Sequence, residues 1–64
     1  MSEDLQYKIE AYGRGCIVAD YSGKRGKYGA AYMGREGVWN DQPIGMTPFA
    51  TRKDAEEKLV QVLS

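Results

Sequence analysis

Glycine-flanked cations, one cysteine and a few scattered carboxylates are the residues of this chain whose types could do chemistry. Gly13-Arg14-Gly15 opens like a dinucleotide-binding turn, but Val18 stands where its third glycine or alanine belongs. Gly26-Lys27 resembles the end of a phosphate-binding loop, yet Tyr21 and Tyr28 occupy the positions of its first glycine and its Ser/Thr. Hairpin turns account for both stretches more simply. Cys16 has only Arg14 nearby to stabilise a thiolate, and Ile17 and Val18 beside it suit a small buried hydrophobe. Glu56 and Glu57 are helix neighbours that project in different directions, and a capping role accounts for Asp54, three residues before Glu57. Glu10 and Asp20 become cross-strand neighbours only in one register, which the sequence leaves open. The chain has no histidine and a single cysteine. It therefore carries no imidazole base, no Ser-His or Cys-His pair and no four-cysteine zinc site. No nucleophile, base and oxyanion donor assemble, so the expectation is a protein that is not an enzyme and needs no cofactor or metal.

Charge distribution says more than its sum. Nine basic and nine acidic residues give a formal net charge of zero. Between residues 7 and 35, however, Lys8, Arg14, Lys24, Arg25, Lys27 and Arg35 oppose only Glu10 and Asp20. The same segment holds all five tyrosines, Tyr7, Tyr12, Tyr21, Tyr28 and Tyr32. The candidate binding surface is therefore Arg14, Tyr21, Lys24, Arg25, Lys27, Tyr28, Tyr32 and Arg35. Such a set suits a protein partner, since Tyr and Arg are enriched at interfaces. It also suits nucleic acid, with cations on phosphates and rings on bases. Overall neutrality favours the protein partner, because nucleic-acid domains are usually basic as a whole.

Positioning these residues requires strands. Leu5, Tyr7, Ile9 and Ala11 alternate with Gln6, Lys8, Glu10 and Tyr12, the period of a half-buried strand. Gly13-Arg14-Gly15 turns the chain, and Cys16 to Tyr21 reads as a second strand. A basic loop from Ser22 to Lys27 leads to a third strand from Tyr28 to Met33. Gly34 to Gly37 is another turn, and Val38-Trp39-Asn40 a short fourth strand. Trp39, Ile44, Met46 and Phe49 form an apolar group, some of which must cap the core. Thr51 is the N-cap of a closing helix, with Asp54 as the capping-box acid. Ala55, Leu59, Val62 and Leu63 make its apolar stripe, Asp54 and Lys58 an i,i+4 pair, and Phe49 anchors its start. The expected fold is α+β: a three- or four-stranded antiparallel sheet packed on one C-terminal helix, in a single domain spanning residues 1–64. The narrow stripe covers only part of one sheet face, and the other face is the expected working surface.

The stretch Pro48 to Leu59 is similar to the helix of the arm-type DNA-binding domain of tyrosine recombinases, where a three-stranded sheet precedes Phe-x-Thr-x-x-Glu-Ala. Phe49, Thr51 and Ala55 match that phrase, and Asp54 replaces its glutamate. The family reads DNA with its sheet, so the resemblance implies a sheet-plus-helix fold and a DNA-facing role for the basic strands.

Size and compartment complete the expectation. The apolar runs are far too short for a membrane helix, and the acidic start, Met1-Ser2-Glu3-Asp4, is unlike a secretory signal. A cytoplasmic protein with no membrane or small-molecule partner is expected. A domain this small buries only about 60% of its unfolded surface. Association with another protein or a second copy of itself, through the basic, tyrosine-rich sheet surface or an exposed strand edge, is one way to add to that, and complementary edges would make a homodimer.

Overall fold

Among the described residues, four strands in chain order form one antiparallel meander, and the chain then folds one helix back over it. The computed structural model describes residues 6–64. Strand β1 is Tyr7–Tyr12, β2 Gly15–Asp20, β3 Ala31–Met33, β4 Trp39–Asn40, and helix α1 is Arg52–Leu63. The sheet order is β1-β2-β3-β4. The expected α+β arrangement is thus the fold, with four strands.

The first hairpin is tight because Gly13 takes φ +59° while Arg14 keeps a negative φ. That is the pattern of a type II′ turn, whose twist matches the flanking strands. It sets the register in which Ile9 faces Val18 and Tyr7 faces Asp20. Glu10 instead faces Ile17, so Glu10 and Asp20 lie on opposite sheet faces and form no carboxylate pair.

One face carries Tyr7, Ile9, Cys16, Val18, Asp20, Ala31, Met33 and Trp39 by this register. Val18 and Met33 are fully buried there and pack with Phe49 and Ala55, flanked by Ile9, Cys16, Trp39, Leu59 and Val62. Burying a side chain such as Val18 or Met33 contributes about 1.5–3 kcal/mol. Phe49 holds the start of the helix in this core, as expected. It exchanges two backbone hydrogen bonds with Cys16, at 3.0 and 2.7 Å.

The helix begins where the sequence places it. Thr51 has extended backbone, and its hydroxyl accepts the Asp54 N–H at 3.1 Å. Three details depart from expectation. Leu63 is 45% exposed rather than part of the buried stripe. The i,i+4 ion pair that forms is Arg52–Glu56, not Asp54–Lys58. The third strand starts at Ala31, leaving Tyr28 outside the sheet. A Cβ on Gly26 would fall on the Ala30 carbonyl, so the chain closes on itself between residues 26 and 30 and cannot be extended there. Small end shifts complete the comparison: β2 gains Gly15 and loses Tyr21, and β4 loses Val38. Leu5, expected in the first strand, lies outside the described residues. Among the described residues, no helix is long and apolar enough to cross a membrane.

Candidate interaction surface

Three regions hold the residues that could bind something, and they differ in how far their polar groups are already satisfied. At one end of the helix-facing side, Asp20 is 1% exposed. Its Oδ1 accepts the Ser22 N–H at 2.8 Å and its Oδ2 accepts from Arg25 Nη1 at 2.5 Å. Arg25 also lies over the rings of Trp39, at 4.9 Å, and Tyr7, at 5.8 Å, and donates to the Tyr7 hydroxyl. Burial pushes the Asp20 carboxyl up, but the Ser22 and Arg25 hydrogen bonds outweigh it and hold the group below its ordinary value. The hydrogen bond to Asp20 leads in raising the Arg25 guanidinium above its ordinary value. Asp20 and Arg25 form a latch that folds the loop of residues 21–30 onto the sheet.

The face turned away from the helix carries Lys8, Glu10, Tyr12, Ile17, Ala19, Tyr21 and Tyr32. Ile17 and Ala19 are buried here although, among the described residues, no helix lies on this side. Half-buried Tyr12 and Tyr32 share the face with them. The Tyr21 hydroxyl donates to Glu10. That hydrogen bond, with burial and the Glu10 charge behind it, pushes the Tyr21 phenol up to about 12.

The third region is the outer edge of β1. Its direction follows from two sets of hydrogen bonds. The Tyr21 N–H donates to the Gln6 carbonyl at 2.7 Å, and Cys16 exchanges bonds with Phe49 on the opposite side of β2. Alternation along an antiparallel ladder then directs the backbone of Lys8, Glu10 and Tyr12 towards β2 and that of Tyr7, Ile9 and Ala11 outward. Among the described residues, no strand pairs with this outer edge. Beside it, between β1 and α1, runs a groove of about 640 Å³ whose lining includes Tyr7, Ile9, Leu59, Val60 and Leu63. Val60 is 65% exposed. Arg52 and Glu56 form the polar rim.

The candidate residues read from the sequence do not form one surface. Lys24, Lys27 and Tyr28 sit at the end of the sheet where β2 passes to β3, with Tyr28 71% exposed. Arg14 and Arg35 sit at the opposite end, roughly 20 Å away at about 3.3 Å per residue. Arg35 shares a shallow cleft with Asp54, Glu57 and Lys58. Arg25 is engaged by Asp20, while Tyr21 and Tyr32 belong to the helix-free face. A strand edge is among the expected binding modes, but which strand supplies it is left open, although a signal for β1 exists. Lys8-Ile9-Glu10 places opposite charges symmetrically about a β-branched residue. The Asp20-Tyr21-Ser22 phrase likewise signals an Asx turn.

Among the described residues, no three Cys, Asp or Glu side chains converge on one point. Comparison of the chain with protein-family models, with curated proteins and with solved structures finds no match.

Proposed function

We propose that this chain is a small, non-catalytic interaction protein that docks a protein partner along the β1 edge. The observation that carries this reading is the juxtaposition of outward Tyr7, Ile9 and Ala11 backbone with the groove beside α1, where Ile9, Leu59, Val60 and Leu63 are joined by the charged Lys8, Arg52 and Glu56. An added strand would satisfy the three outward N–H and C=O pairs, and its alternate side chains would enter the groove. Long, uncovered edges invite such pairing.

Ala11→Pro tests the reading. The Ala11 N–H points outward, so proline removes an edge donor without breaking the β1–β2 ladder. Peptide-display selection on the wild-type protein is expected to enrich extended peptides with alternating apolar residues, and Ala11→Pro to lose them. Enrichment that survives Ala11→Pro would contradict it.

The nucleic-acid reading keeps one specific support, the Lys24, Lys27 and Tyr28 group at one end of the sheet, and the recombinase-like phrase at 48–59 would make the polymer DNA. It ranks second because Arg25 is engaged by Asp20 and the remaining cations are divided between two ends. Titration of labelled single- and double-stranded DNA at low salt checks it. Binding that disappears on replacing Lys24 and Lys27 by alanine would promote this reading.

A further inference from the structure

We infer that the occupant of the β1 edge is a second copy of this chain, joined through antiparallel β1–β1 pairing about a two-fold axis at Ile9. This inference rests on the edge-docking reading and adds the partner. Placing the axis at Ile9 opposes Ile9 to its own copy, Tyr7 to the partner's Ala11, and Lys8 to the partner's Glu10. The symmetry repeats the last two pairs with the roles exchanged. Because the outward backbone belongs to Tyr7, Ile9 and Ala11, every free edge donor and acceptor of these residues finds a partner in this register.

Charge selects this register. Lys8 and Glu10 fall at non-hydrogen-bonded positions of the new ladder, where side chains approach most closely. Both lie on the helix-free face, so two opposite-charge pairs flank the axis. Lys8 is exposed, and Glu10, though it accepts from Tyr21, has further acceptor capacity on its carboxylate. Shifting the axis by two residues, to Tyr7 or Ala11, breaks both pairs. On the other face the two-fold brings both helices, with exposed Val60 and Leu63, to the same side of the joint. The result is a continuous eight-stranded sheet that covers the longer edge of each copy. A chain too small to bury a large core gains apolar burial in the same step.

Sedimentation equilibrium over a range of concentrations, with thermal melts as a folding control, tests the inference. Wild-type protein is expected to dimerise. Lys8→Glu opposes two Glu–Glu pairs and Glu10→Lys two Lys–Lys pairs, so each is expected to weaken self-association about tenfold or more. An equimolar mixture of the two variants restores both opposite-charge pairs and should recover the dimer. That recovery also guards against either variant failing for structural reasons. Wild-type protein that stays monomeric at about 1 mM overturns the second-copy inference. The edge reading is then decided separately, by the peptide selection with Ala11→Pro. A dimer indifferent to both charge reversals and to Ala11→Pro overturns the inference too, and it places the contact away from β1.

Discussion

β4 and β1 close the same sheet on opposite sides, yet β4 is two residues long and β1 six. The short edge is also tied down. Arg25 lies over Trp39, and Asp41 accepts the Lys27 N–H at 3.1 Å, so the loop of residues 21–30 is fastened to β4. Short edge strands and covering loops are common protections against unwanted pairing. Among the described residues β1 has neither, and beside it lies a groove that mixes apolar side chains with the charged Lys8, Arg52 and Glu56. The difference teaches that, among the described residues, the chain covers its short edge and leaves the outward backbone of its long one unpaired.

Breaking the protected side should produce the largest effect. Asp20→Ala removes the buried acceptor of both Ser22 and Arg25. It is expected to cost about 2–3 kcal/mol in a urea titration. Amide exchange of β3 and β4 should rise in the same variant, making the two edges alike. Thr51→Ala, which removes the cap at the start of the helix bordering the groove, should cost about 1 kcal/mol.

Two titrations separate the sides further. The Asp20 carboxyl sits below its ordinary 3.8 in the folded protein, so its stabilising effect is complete above that value. It fades as pH falls through the lowered folded value, and Asp20→Asn should flatten that acid limb of the stability profile. On the β1 side, the Tyr21 phenol rises from 10.0 to about 12. Its contribution is complete below pH 10 and is lost as pH climbs towards 12. Tyr21→Phe should lose less stability over that alkaline interval than wild type, while leaving the acid limb unchanged. The smallest effect belongs to Arg52→Ala at the groove rim. The Arg52–Glu56 pair is well exposed, so the change should stay within about 0.5 kcal/mol in the same titration.

Local patterns carried much of this fold. The strand at residues 7–12, the glycine turn at 13 and the Thr51 cap each follow from chemistry a few residues wide and form as read, although Ala11 is exposed and Glu10 and Tyr12 are half-buried. Phe49 was also legible, because a large ring just before a capped helix has few places to go. What depends on distant parts of the chain was not legible. Asp20 at a strand end looks like any surface carboxylate until Arg25 and the Ser22 backbone are brought to it. Tyr28 has the composition of a strand residue, yet the close approach of Gly26 to Ala30 keeps it outside. Summing the cations of residues 7–35 treated them as neighbours, whereas the hairpin geometry sends Arg14 and Lys24 to opposite ends. The β1 edge required knowledge of strand order and of which backbone groups point outward, and neither is encoded in a window of residues.

Residue-resolved amide exchange along β1, followed as protein concentration rises, tests the central claim most directly. In dilute solution the Lys8, Glu10 and Tyr12 amides should be protected by β2 while those of Tyr7, Ile9 and Ala11 exchange freely. With rising concentration the second set should become protected as the edges pair, and Ala11→Pro should abolish that change. Uniform protection of all six amides in dilute solution, or exchange at Ile9 that ignores concentration and any added strand-like peptide, would contradict an open docking edge.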